Sequence, residues 1–181
     1  MAKEETAGHV LLVDDDEAIR ESLGELMEAC GYTVQRADCV KNAIKVLEAH
    51  DEIEVITSDM KMPGESGMSV LSYLSEKGLT IPLIFLTGYG TLDTCQEAVK
   101  LGAFDYILKP IDDKDRIMIP LAHAVEKRRM ELKTIELQRD IIQMAEEHQA
   151  IIDELLMDTE MKDKVHDKIS QILNKWDTKK K

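Results

Sequence analysis

The chain has 181 residues, 44% of them hydrophobic, and carries 36 acidic against 23 basic side chains for a formal charge of −13. That length holds one ordinary domain with an appendage, or two small domains, and the apolar content excludes a wholly disordered chain. The charge argues against a face built to neutralise nucleic-acid phosphates, and no apolar run approaches the roughly 20 residues of a membrane span.

Residues 1–8 lack the basic-then-apolar pattern of a signal peptide. Cys30, Cys39 and Cys95 match no common metal-ligand spacing and read as ordinary side chains of a cytoplasmic protein. Short β-branched runs then alternate with amphipathic stretches. Strands are expected at 9–13, 33–36, 55–58, 83–86 and 104–108. Ile19, Leu23, Leu26, Met27 and Cys30 recur at three- and four-residue spacing, the mark of a helix with one buried face. Gly31, Gly78 and Gly102 follow helical runs, where a left-handed C-cap is needed. Strict strand–helix alternation over five units implies a doubly wound α/β domain around a parallel sheet, with its site at the carboxyl ends of the strands.

From residue 121 onward the character changes, with no Gly or Pro to the end. Steps of seven from Met130 give Leu137, Met144, Ile151, Asp158, Val165 and Ile172. The companion positions are Thr134, Ile141, His148, Leu155, Lys162, Ile169 and Trp176, and most of the set is apolar. A single helix of ~60 residues would run ~90 Å, far longer than the domain. The stretch is therefore expected to pair with a second copy as a coiled coil in a homodimer, or to fold back near Asp158-Thr159, which could cap a second helix. The expected organisation is a tail at 1–7, the α/β domain at 8–128, a helical extension at 129–176 and a basic tail at 177–181.

The acids Asp14-Asp15-Asp16 follow the first apolar run and Asp59 follows the third. Carboxylates that converge at strand ends repel unless a hard cation holds them, and Mg²⁺ takes such oxygen ligands while keeping some water. Thr87 ends the fourth run with a hydroxyl and Lys109 ends the fifth with a point charge. Acids, a hydroxyl and a lysine around a metal suit phosphoryl transfer, which needs mainly alignment and charge neutralisation. Asp16 reads differently, as the N-cap of the helix through Ile19.

VDDDE, SDMKMPGESG, LTGYG and FDYILKPI stand at the first, third, fourth and fifth strand ends. With these motifs residues 8–128 resemble the receiver domains of two-component response regulators, which have the flavodoxin-like fold. GYGTLDT and AVKLGAFDYILKP look most like the receivers of nitrogen-regulation and dicarboxylate-transport activators, and this chain is too short to hold the ATPase and DNA-binding domains of those proteins.

The resemblance implies that Asp59 accepts a phosphoryl group from a phosphohistidine on a sensor histidine kinase. It implies that Asp15, Asp59 and the backbone carbonyl of Lys61 ligate Mg²⁺, with Asp14 acting through metal-bound water. Lys109 and Thr87 would meet the phosphoryl oxygens, and Tyr106 would be the switch aromatic that turns inward with Thr87. The helix around 92–101, the strand at 104–108 and the following helix would form the responding surface. Pro110 resembles the family's cis-proline, and Lys61 and Tyr89 hold positions that tune phosphate lifetime.

Pro120 departs from the pattern, lying where the last helix should run; it either kinks that helix or sits in the first turn of the long one. The function expected is a phosphorylated signal transducer rather than an enzyme, acting through protein contacts or dimerisation on a downstream partner, without direct nucleic-acid or membrane binding. The alternative is a phosphorelay element using His148 or His166, although the residues after His148 lack a histidine-kinase pattern.

Overall fold

The computed structural model describes residues 6–88, 98, 100–155 and 159–177. Five strands, β1 (Gly8–Val13), β2 (Tyr32–Ala37), β3 (Val55–Asp59), β4 (Leu83–Thr87) and β5 (Asp105–Leu108), form one all-parallel sheet in the order β2-β1-β3-β4-β5. The described helices are α1 (Glu17–Ala29), α2 (Val40–Ala49), α3 (Met68–Lys77), α4 (Asp115–Leu155) and α5 (Thr159–Asp177). This is the five-stranded, doubly wound α/β fold expected from the alternation, flavodoxin-like as the resemblance implies, with a long helix after it.

The apolar runs of the central strands have a direct cause. Leu11, Val13, Ile56, Leu83 and Phe85 enter one core with residues of α2 and α3. Val10, Leu12, Val55, Ile84 and Leu86 enter a second core with residues of α1 and α4. A parallel sheet covered on both faces has no solvent-facing positions in its central strands, so they read as continuous hydrophobic runs rather than alternating ones.

Local chemistry sets the helix ends. The Asp16 carboxylate accepts the backbone N–H groups of Ala18 and Ile19, at 2.9 and 3.2 Å, and so caps α1 as expected. Gly78 closes α3 at φ +65°, a conformation in which a Cβ would be strained, and Gly31 and Gly102 also have positive φ.

The start of α4 corrects one expectation. The helix begins at Asp115, with Asp113 Oδ1 accepting the Asp115 N–H at 3.0 Å. Pro120 therefore lies inside the helix and not in its first turn. The reading that survives is the mid-helix one, in which the ring removes one backbone hydrogen bond.

Ile117, Leu121, Ala124 and Val125 of α4 are buried, the i, i+4, i+7, i+8 stripe of a helix lying on a core. The chain divides into two compact units, 1–132 and 133–181. The second unit carries exposed apolar side chains at Ile135, Leu137, Ile141, Ile142, Met144 and Ile151. Its described helical residues are those of α4 up to Leu155 and those of α5 from Thr159. Asp158 lies outside the described residues, as do Tyr89, Cys95, most of 92–101, residues 1–5 and residues 178–181; the side chains of Leu155, Lys162 and Trp176 are likewise outside them.

Candidate functional site

The strand order reverses at β1, which has β2 on one side and β3 on the other. Ligands of open α/β sheets bind beyond the carboxyl ends of the strands at such a switch point. Register brings the polar side chains to one level there. Val13 is opposite Ser58, Asp59 opposite Leu86 and Thr87 opposite Leu108, so Asp14, Asp59, Thr87 and Lys109 each stand at a strand end or one residue past it.

The centre is a lysine held between two acids. Lys109 Nζ donates to Asp14 Oδ2 at 2.6 Å and to Asp59 Oδ2 at 2.7 Å. Its side chain is 14% exposed, against 1% for Asp14 and 16% for Asp59. Burial pulls the Lys109 pKa down, but its hydrogen bonds to Asp14 and Asp59 and the charges of both acids outweigh burial and raise it above the ordinary lysine value.

Carboxylate oxygens of Asp14, Asp15 and Asp59 all lie within 4.8 Å of one another. Three hard donors in that spread could hold an oxygen-seeking divalent cation that keeps part of its water, and their charges call for one. The acids are not equivalent. Asp14 is fully engaged: Oδ1 accepts the Asp16 N–H at 3.0 Å, Oδ2 takes Lys109, and its backbone carbonyl accepts from Arg20 Nη1 at 2.8 Å. Asp15 is exposed. Asp59 keeps one oxygen on Lys109 while the other accepts the Lys61 N–H at 2.9 Å.

The remaining expected residues are placed as follows. Thr87 is 1% exposed and its carbonyl accepts the Lys109 N–H at 2.8 Å. Lys61 is exposed in the loop after β3. Tyr106, on β5, is 39% exposed and so faces outward in this state. The Lys109-Pro110 bond is cis. His148 and His166 are exposed on α4 and α5 in the second unit.

Two supporting residues escape a reading of the sequence. A Cβ on Gly67 would collide with the backbone oxygen of Asp59 and the Ser58 hydroxyl, so only glycine lets α3 start against the end of β3. Arg116 Nη2 donates to the Leu108 carbonyl at 3.0 Å and Nη1 to the Pro110 carbonyl at 3.0 Å, gripping the backbone on both sides of Lys109. Gly67 sits within SDMKMPGESG, where its spacing after Asp59 could have been suspected; Arg116 has no such signal beyond Asp112 four residues before it.

Comparison with known proteins agrees with this geometry. Residues 10–118 match the family model described as the response regulator receiver domain. The transcriptional regulatory protein FixJ of Bradyrhizobium diazoefficiens is 31% identical over 75% of this chain and 65% of its own length. The C4-dicarboxylate transport transcriptional regulatory protein DctD of Pseudomonas aeruginosa is 31% identical over 79% of this chain but only 30% of its own. The chain thus spans under two thirds of the length of these relatives. Among solved structures, a response regulator receiver domain protein from Clostridium thermocellum superposes with a TM-score of 0.64 at 30% identity, covering 68% of this chain and 98% of that one. An alternating α/β chain, a lysine between two strand-end acids and a matched sequence over residues 10–118 converge on one conclusion: the chain belongs to the response regulator receiver family.

Proposed function

We propose that the protein is a phosphorylation-activated response regulator that takes a phosphoryl group from a sensor histidine kinase onto Asp59. The observation that carries this reading is the Lys109 ammonium at 2.6 and 2.7 Å from Asp14 and Asp59, with Asp15 beside them. Asp59 is the acid of the pair with water access, so its carboxylate is the nucleophile. Its oxygen attacks the phosphorus of the phosphohistidine, the O–P bond forms as the P–N bond breaks, and the electron pair leaves on the imidazole nitrogen, which takes a proton. Lys109 is positioned to neutralise the charge on the transferred group, and the Thr87 hydroxyl, at the neighbouring strand end, to accompany it.

Asp15, Asp59 and the Lys61 carbonyl would hold Mg²⁺, which supplies charge neutralisation and alignment for the transfer. Both Asp14 oxygens are already taken by Lys109 and the Asp16 N–H, which suits an indirect role through water. Beside Lys109 a hollow of about 410 Å³, lined by Ile19, Leu23, Pro110 and Ile111, offers an apolar seat for a kinase helix that presents its histidine. Apart from its own phosphoryl uptake and loss, the protein is a cytoplasmic transducer and not an enzyme acting on other substrates.

The output runs through the helical extension. Met130, Leu137, Ile141, Met144 and Ile151 of α4 are 46–59% exposed and stand at steps of 7, 4, 3 and 7 residues, the spacing of a heptad repeat. A second copy of this chain is the occupant that such a repeat fits, with phosphorylation shifting the pairing or the docking of a downstream protein.

The test is phosphoryl incorporation from acetyl phosphate and Mg²⁺, read by intact mass on wild type and Asp59→Asn, together with light scattering under beryllofluoride. One phosphoryl group on wild type and none on the variant is expected, with a beryllofluoride-dependent change in assembly only in wild type. Equal incorporation by both proteins would overturn the assignment of Asp59, and a monomer in every state would overturn the dimer.

A further inference from the structure

The geometry points to Arg116 as a positioning residue for Lys109, an assignment that rests on the phosphorylation reading above. β5 lies at the edge of the sheet and pairs with β4. The Lys109 N–H is turned toward β4, where it donates to the Thr87 carbonyl at 2.8 Å. Successive residues of a strand present their backbone groups to opposite sides, so the Leu108 carbonyl faces the open edge, beyond the reach of the ladder. Arg116 Nη2 fills that vacancy at 3.0 Å. From the same guanidinium, Nη1 donates to the Pro110 carbonyl at 3.0 Å and to Asp112 Oδ1 at 3.1 Å. One planar fork therefore binds the carbonyls immediately before and after Lys109, and Asp112 fixes the fork.

The base of the clamp is rigid. Arg116 lies in the first turn of α4, its N–H donating to the Asp113 carbonyl at 3.2 Å, and the next residue, Ile117, is fully buried in the core. The Arg116 side chain is itself 41% exposed, so packing does not explain its three hydrogen bonds. A lysine side chain is long and flexible, and its ammonium meets Asp14 and Asp59 together only when the backbone beneath it is held. Arg116 supplies that hold from the outside of the sheet, while the Thr87 carbonyl supplies it from the inside.

The full chain carrying Arg116→Lys or Arg116→Met tests this role, with thermal melts confirming that both fold. Two readouts are taken: the maximal rate and Mg²⁺ dependence of phosphorylation by acetyl phosphate, and the ¹⁵N resonance of the Lys109 ammonium without any phosphodonor. Both variants are expected to lower the maximal rate about tenfold, without weakening the apparent Mg²⁺ affinity, and to lose the Lys109 signal that wild type protects. Lysine does not rescue, because a single ammonium cannot span two carbonyls that flank another residue. Wild-type rate and resonance in Arg116→Met would overturn the role, as would full rescue by Arg116→Lys, which would show that charge alone matters. A parallel fall in rate and Mg²⁺ affinity would also overturn it, since that is general loosening of the site. If wild type takes no phosphoryl group while its Lys109 resonance still depends on Arg116, the phosphorylation reading fails and the positioning role stands.

Discussion

Replacing Lys109 by Met isolates the electrostatics of the pocket. Asp14, Asp15 and Asp59 bring three negative charges within 4.8 Å, and Lys109 returns one positive charge. At an effective dielectric constant of about 20, each contact at 2.6–2.7 Å is worth roughly 6 kcal/mol of gross Coulomb energy. Removing the ammonium from water costs several kcal/mol in return, and the 14–16% exposure of Lys109 and Asp59 lets solvent screen part of the rest. Leaving Asp14 buried without its cation therefore destabilises the fold by about 3 kcal/mol.

A divalent cation replaces the lost charge, so the penalty should shrink when Mg²⁺ is added. Urea denaturation of wild type and Lys109→Met, with chelator and with about 10 mM Mg²⁺, measures both quantities. Mg²⁺ should stabilise the variant more than wild type, because a pocket with one more net negative charge binds the cation tighter and the gain grows as the logarithm of ligand concentration over Kd. A variant as stable as wild type in chelator, or a penalty untouched by Mg²⁺, would refute the charge argument.

Other consequences follow from single contacts. Gly67→Ala should lose about 1–3 kcal/mol in urea denaturation, because its Cβ collides with the Asp59 carbonyl and the Ser58 hydroxyl; wild-type stability would show that the start of α3 shifts freely. Thr57 is fully buried and its hydroxyl has no hydrogen-bond partner among the described residues. Thr57→Val should therefore be neutral or more stable by about 1 kcal/mol, and a clear loss of stability would reveal a hidden partner. The Glu28 carboxyl is held below its ordinary value of 4.5 by its hydrogen bond from Arg36. A lowered carboxyl contributes stability that is present above 4.5 and lost as pH falls through the lower folded-state value. The melting-temperature advantage of wild type over Glu28→Gln should accordingly be present near pH 6 and fade toward about pH 3; an advantage that persists in acid would contradict the sign.

Much of this site is legible in the residue order because its parts stand at strand ends. Apolar runs locate β1, β4 and β5, and the first polar residue after each is Asp14, Thr87 or Lys109, while Asp59 closes β3 after Thr57 and Ser58, past the apolar pair Val55-Ile56, so all four can be named before any geometry. Their convergence follows from parallel register, which places every carboxyl end on one side. Arg116 is illegible for the opposite reason: it binds main-chain carbonyls, which carry no sequence identity, and it lies outside the hydrophobic period of its helix. Gly67 answers to a clash with a neighbour's backbone, not to a turn that needs positive φ. The start of α4 is set by the Asp113 side chain, a local cap that a proline five residues after Asp115 obscures.

The lysine bridge has a bearing on how the protein matures. Lys109 is 95 residues from Asp14 and 50 from Asp59 along the chain, yet one ammonium touches both. Contacts of such separation form late, after the loop-closure entropy of the intervening chain has been overcome. A nascent chain or a proteolytic fragment that ends before β5 carries Asp59 but lacks the cation that completes its surroundings. Assembly of the acid–lysine cluster is thereby tied to completion of the sheet.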